Sequence, residues 1–200
     1  MSIATIKAVI DGQTYPLTLS EDGYYVLAGT APALSSANEL GSYYGVQIIA
    51  TDEAGNETTI NQEDGTWGEQ LRLVAYESVK PTATITYLSS DSRINTCTPT
   101  ITAQLRDNDS GVDPATLDLR INGGSKITQG APGLTLTPVE GGYDLSYAVP
   151  TALDEGQTTI SVGVSDMDGN AADPASITCT IAVTAPTISL SSPAEGLVTN

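Results

Sequence analysis

The chain has no histidine and no phenylalanine, and it holds one tryptophan, two methionines and two cysteines among 200 residues. Without histidine the usual general base is missing, and with it the common catalytic triads and the histidine-containing zinc sites. Two cysteines, Cys97 and Cys179, do not make a disulfide framework. Basic residues are scarce: Lys and Arg number 7 against 24 Asp and Glu, a formal charge of -17. No basic stripe exists to displace counterions, so nucleic acid is not expected as a partner. No apolar run reaches the roughly 18 residues of a spanning helix, so no membrane insertion is expected. The start, Met1 to Gln13, has neither a basic opening nor a long apolar stretch, and no signal peptide is expected there. No glycine-rich phosphate loop leads into a helix and no nucleophile elbow is found, so the chain is not expected to be an enzyme.

What is present is period-two alternation broken by turn residues, the pattern of an all-β protein. Ile6, Ala8 and Ile10 alternate with Lys7 and Val9 and stop at Asp11-Gly12, a strong hairpin signal. Tyr15, Leu17 and Leu19 form a return strand, and Tyr24 to Leu27 another. Residues 30 to 42 read as a connecting loop. Tyr44, Val46, Ile48 and Ala50 lead into the acidic turn at Asp52 to Asn56, and Leu71, Leu73 and Ala75 are expected to form the last strand of this half. Val79-Lys80-Pro81 is a short linker, because proline rejects ladder pairing and restricts the residue before it. Beyond it, strands are expected around Ile85, Ala103, Leu119, Leu145, Val162 and Ile181. Both cysteines are placed on the inward parity of strands, and a pair of reduced thiols and a bridge are both compatible with that placement.

The halves repeat one another. ATIKAVIDG, Ala4 to Gly12, matches ATLDLRING, Ala115 to Gly123; EDGYYVL, Glu21 to Leu27, matches EGGYDLS, Glu140 to Ser146. VQIIATDEAGN, Val46 to Asn56, matches the region of VGVSDMDGN, Val162 to Asn170. The first half thus begins where the second has already completed two strands. PTISLSSPAEGLVTN, Pro186 to Asn200, repeats the opening of the second half, PTATITYLSSDSRINT. The expected organisation is a shortened module over residues 1–80, a full module over 81–185, and the first strand of an incomplete third module, or a linker, over 186–200.

From Pro81 to about Ala185 the chain resembles bacterial and phage Ig-like repeat domains, on the strength of TPTITAQLRDNDSGVDPATLDLRING and EGQTTISVGVSDMDGN. The resemblance implies tandem Ig-like β-sandwich modules, the first shortened, acting as spacers or binding modules. A short module followed by Lys-Pro and an Ig-like repeat also resembles tail-associated structural proteins of phages and prophages. It implies a virion, tail or cell-surface component that mediates attachment or assembly; a bacterial adhesin fragment and a glycan-binding module are the alternatives. The expected location is a virion or the extracellular face of a cell, with protein partners or self-association through the first module, and a surface glycan as a further partner class.

In an Ig-like topology the loop with Asp107, Asp109 and Asp113 lies at the same end of the sandwich as the loop with Asp166, Asp168 and Asn170. Carboxylates and an amide oxygen meeting there suit Ca²⁺, a cation with six to eight oxygen ligands; no other cofactor is required. The plainer expectation is that these residues are present because they accept turn geometry and bond their own backbone. Among the aromatics, Tyr24, Tyr25, Tyr43, Tyr44 and Trp67 are candidates for a sugar- or protein-binding patch, against the alternative that tyrosines fill the core that phenylalanine otherwise would.

Overall fold

Alternation in each half becomes a sheet, but the two halves bury their apolar faces to different degrees. A computed structural model describes residues 2–27, 29–30 and 32–189. The first half contributes β1 (Ile3–Ile10), β2 (Gln13–Leu19), β3 (Tyr25–Leu27), β4 (Tyr44–Asp52), β5 (Glu57–Ile60) and the short β6 (Arg72–Leu73). The second contributes β7 (Thr82–Tyr87), β8 (Arg93–Ile94), β9 (Thr100–Arg106), β10 (Val112–Ile121), β11 (Leu134–Val139), β12 (Gly142–Ala148), β13 (Gly156–Asp166) and β14 (Ala175–Ile181). No helix among the described residues is long and apolar enough to cross a membrane.

The second half is an Ig-like sandwich. One sheet runs β11-β12-β9-β7 and the other β10-β13-β14-β8, so the opening stretch places β7 in one sheet and then switches to the other at β8. Every pairing is antiparallel except β8 on β14. Ile101, Leu105 and Leu145 of one sheet and Leu119, Ile160 and Val162 of the other are at most 2 % exposed and belong to one core. Each such side chain contributes about 1.5–3 kcal/mol of transfer free energy. Pro114 falls where the β10–β13 register shifts, between Asp113 and Asp118, the place in a strand where a missing N–H costs no ladder bond.

The first half repeats the second's pairing scheme around a different outcome. β1 pairs β4 and β4 pairs β5, as β10 pairs β13 and β13 pairs β14. Asp11-Gly12 and Asn122-Gly123 both have positive φ at the two turn positions, 49° and 69° in one and 52° and 65° in the other, the geometry of a tight hairpin turn. After Asn122-Gly123 the chain makes one bridge, Ile127 on Leu119, and crosses to the opposite sheet, where β12 pairs with β9. After Asp11-Gly12 there is no counterpart of β7 or β9 to cross to. β2 therefore stays on β1, β3 stays on β2, and the described strands form one sheet in the order β3-β2-β1-β4-β5, with β6 added to β4.

Cross-strand partners share a face, which places Ile6, Leu17, Leu27, Val46, Ile48 and Ile60 together on one side of that sheet. All six are only partly buried. Ala8, Ile10 and Tyr44 lie on that same face and are buried, as is Ala75. The expected strand from Leu71 to Ala75 is reduced to Arg72–Leu73. Asp64 accepts the amides of Thr66 and Trp67, and the chain then coils into a 3₁₀ turn over Gly68–Leu71.

Cys97 also departs from expectation. It lies in the turn before β9 and not on a strand, because Pro99 has no N–H with which to extend the ladder; the Cys97 carbonyl instead accepts the amide of Leu153. Both thiols are free. Pro186 to Ser189 is not in a strand, and the remainder of the expected third-module strand, from Leu190, lies outside the described residues.

Candidate metal centre at the junction of the two halves

Three aspartates close their own turns in the same way. Asp52 Oδ1 accepts the amides of Ala54 and Asn56, Asp166 Oδ1 those of Asp168 and Asn170, and Asp107 Oδ1 those of Asp109 and Gly111. The turn explanation of the acidic residues therefore holds at each position. The side-chain amide of Asn56 is the largest of the influences that hold the Asp52 carboxyl below the usual carboxylate range. The turns differ in their surroundings. Asp52 is only partly buried, whereas Asp107 is 6 % and Asp166 2 % exposed.

The Asp107 and Asp166 loops sit at the end of the sandwich that meets the first half, and the connecting segment runs between them. Met167 N donates to Gly111 O at 2.9 Å and ties the two loops together. Glu77, from the connecting segment, enters the gap. Its Oε1 accepts Ser110 Oγ at 3.2 Å and Asn170 Nδ2 at 3.0 Å, its carbonyl accepts Asn170 Nδ2 at 3.2 Å, and its amide donates to Asp168 Oδ2 at 2.8 Å. The result is a group of three carboxylates, Glu77, Asp107 and Asp166, with oxygens all within 4.8 Å of one another.

One oxygen from each carboxylate is thus close enough to the others to share a cation, since oxygens about 2.4 Å from Ca²⁺ are at most about 4.8 Å apart. The charge balance points the same way. The ion pairs found among the described residues are Lys7–Glu57, Lys80–Asp173, Arg106–Asp144 and Arg120–Asp118, and none reaches the three carboxylates. The second oxygen of Asp107 accepts no hydrogen bond among the described residues, while Oδ1 holds the turn. Glu77 is only half-buried, and among the described residues no buried side-chain oxygen lacks a hydrogen-bond partner, so the free oxygen of Asp107 is open to solvent; it is the closeness of three like charges that favours a cation between them. Burial raises the Glu77 carboxyl above the ordinary glutamate value, and the neighbouring Asp166 adds to the rise against the lowering effect of the Val79 amide.

Of the residues expected to meet, Asp107 and Asp166 do, with Asn170 bonded to both Asp166 Oδ2 and Glu77. Asp109 and Asp168 turn elsewhere: Asp109 Oδ1 accepts the Ser35 amide of the first half at 2.9 Å, and Asp168 accepts the Glu77 amide of the connecting segment. Asp113 caps Ala115 on β10 and is outside the group. Glu77 was not among the expected residues. The signal for it was an acid two residues before the Val79-Lys80-Pro81 linker, where any junction must pass.

The aromatic candidates are scattered in role. Tyr44 is buried, and its hydroxyl donates to the carbonyls of Leu34 and Ser35; it fills the core rather than a surface. Arg72 stacks over the Tyr43 ring at 5.0 Å. Tyr24, Tyr25 and Trp67 are exposed.

No protein-family model matches the chain, and no curated protein matches it. Among solved structures, the fibronectin(III)-like modules of Clostridium thermocellum CbhA are similar over 90 % of this chain and 78 % of theirs, at 19 % identity and a TM-score of 0.36. Dimeric latent PorU from Porphyromonas gingivalis is similar over 92 % of this chain and 20 % of its own, at 16 % identity and a TM-score of 0.43. The titin domains z1z2, solved in complex with telethonin, are similar over 94 % and 84 % at 18 % identity and a TM-score of 0.36.

Proposed function

We propose that the chain is a non-catalytic pair of Ig-like modules that serves as a stiff spacer in an attachment or assembly structure, with Ca²⁺ setting the angle between the modules. The observation that carries the reading is Glu77, held between the Asp107 and Asp166 turns at the point where the two halves meet. Ca²⁺ there takes oxygens from the linker and from two loops of the sandwich, so binding is coupled to the orientation of one half on the other. The setting that suits such a site is outside the cell, on a virion or a cell surface, where the family resemblance also points. The strongly acidic surface favours a cation and disfavours polyanionic partners.

Small-angle X-ray scattering of the full chain with Ca²⁺ and with EDTA tests the spacer reading. A single, more extended and less variable shape in Ca²⁺ supports it; identical profiles in both buffers reject it. The exposed Trp67 carries the glycan alternative, which a glycan array compared between the native chain and Trp67→Ala decides.

A further inference from the structure

Where the two halves meet they leave a trough in the surface. One cavity, of about 520 Å³, is lined by Asp107, Asp109, Val139 and Glu140, and a neighbouring one, of about 420 Å³, by Val74, Tyr76 and Asp168; Asn38 and Met167 line both, so the two are continuous. The walls are held from both halves. Asn38 Nδ2 donates to the Asp109 carbonyl and the Ser35 amide to Asp109 Oδ1, while the Met167 amide donates to Gly111 O. Ala75 is buried and bonded twice to Ser36: its carbonyl accepts the Ser36 amide at 2.9 Å, and its amide donates to Ser36 Oγ at 3.2 Å. With Ala75 held inward, its neighbours Val74 and Tyr76 face the trough.

Two properties coincide there. Val74, Tyr76, Val139 and Met167 are all exposed, Tyr76 by 75 % and Met167 by 55 %, and they are gathered in one place, whereas large apolar side chains scattered singly over a surface are ordinary. The charged side chains beside them are Asp107, Asp109, Glu140 and Asp168, and no lysine or arginine lines either cavity. Glu140 belongs to none of the ion pairs found among the described residues. This combination selects the occupant. A polyanion is repelled. A second copy of this chain is a poor match, because it carries -17, its Lys7, Lys80, Arg106 and Arg120 are already ion-paired, and its Arg72 lies over Tyr43.

We propose that the trough docks an extended segment of a partner protein in which arginine or lysine alternates with large apolar side chains. An extended chain points successive side chains to opposite sides. One set covers Val74, Tyr76, Val139 and Met167, and the other pairs with Glu140 and Asp168 on the rim, where the Tyr76 ring also offers a face to a guanidinium. The -17 of the chain speeds the encounter with a basic partner, and added salt weakens it. Both halves wall the trough, so the partner recognises the junction itself. The inference goes beyond the spacer reading above. Of the four acids only Asp107 also belongs to the carboxylate group at Glu77, so docking does not depend on a cation there.

The probe is a fluorescein-labelled hexapeptide of alternating Leu and Arg, titrated with the full chain by fluorescence anisotropy in EDTA and separately in Ca²⁺. The expected result is saturable binding in both buffers that weakens with salt, with hexapeptides of alternating Leu and Glu or of alternating Ser and Arg at least about tenfold weaker, the loss of an anchor contact. Tyr76→Ser and Met167→Ser each weaken binding of the Leu-Arg peptide about tenfold and leave the circular dichroism spectrum unchanged. Glu140→Gln weakens it more than Glu21→Gln, which removes the same charge from the β2–β3 turn and lines neither cavity. The absence of saturable binding overturns the proposal. So does a Ser-Arg peptide that binds as tightly as the Leu-Arg one, or equal binding by Y76S and M167S, since either leaves only the general attraction of an acidic surface. Binding in Ca²⁺ alone overturns the independence from the cation, whereas binding in both buffers with identical scattering profiles rejects the spacer reading and supports this one.

Discussion

Replacing Asp107 by Asn removes a negative charge from the junction and leaves the turn in place, because Asn keeps the Oδ1 that accepts the amides of Asp109 and Gly111. The three carboxylates have oxygens within 4.8 Å of one another. Two like charges at that distance repel by about 3 kcal/mol in an effective dielectric of about 20. Proton uptake by Glu77 and solvent at its partly exposed end reduce this, leaving about 1–2 kcal/mol to be relieved by D107N when no divalent cation is present. For a module of about 100 residues that is a rise in melting temperature of at least about 4 °C in EDTA. In Ca²⁺ the order reverses. The native site gains about 2.7 kcal/mol at a free concentration about 100-fold above its dissociation constant, and the variant, one ligand short, gains less. Differential scanning calorimetry of both proteins in both buffers reads the four transitions. A variant that melts below the native protein in EDTA, or an order that is the same in both buffers, refutes the reasoning. In EDTA the native chain also carries a pH signature. The folded state binds the Glu77 proton more tightly than the unfolded state does, because its carboxyl is raised from the ordinary 4.5. Stability therefore falls as pH rises from that ordinary value through the raised one, and is flat above it with respect to this group.

Leu119→Ala empties a fully buried position between the two sheets and is expected to cost about 2–5 kcal/mol by denaturant titration, with the loss confined to the second half. Gly142→Ala is expected to destabilise by at least about 2 kcal/mol; φ there is 145°, and a Cβ would clash with the Leu105 carbonyl oxygen. The two thiols are expected to react with a chromogenic disulfide reagent at different rates. Cys97 is partly exposed, whereas Cys179 is 1 % exposed and burial pushes its thiol up, so it reacts only as fast as the fold opens. Equal rates under native conditions contradict that placement.

Turns and pairings were legible because their causes are local. Asp11-Gly12 and Asn122-Gly123 each need two residues that tolerate positive φ, and the sequence names them. The repeat made the strands of β1 and β4 the equivalents of those of β10 and β13, whereas the strand Glu57–Ile60, the partner of β4, was not expected. The repeat also exposed the missing strands, but not their consequence, since whether β2 stays on β1 or crosses to a second sheet depends on a partner elsewhere in the chain. Cys97 was misplaced for a local reason that was in view, the proline two residues on. The junction was half legible. Asp107 and Asp166 could be brought together from the topology of one sandwich, whereas Glu77 belongs to the segment that joins two, and its position depends on how the halves meet. Asp109 and Asp168 sit in the same turns as Asp107 and Asp166, yet the carboxylate of Asp109 reaches the first half and that of Asp168 the connecting segment, a distinction that residue type does not encode.

The most direct test of the cation-set junction is isothermal titration calorimetry of Ca²⁺ into the full chain, in metal-free buffer at neutral pH, beside Glu77→Gln. One saturable site per chain that is lost or strongly weakened in E77Q is the predicted result. No binding heat together with an unchanged melting temperature, or equal binding by E77Q, would contradict it.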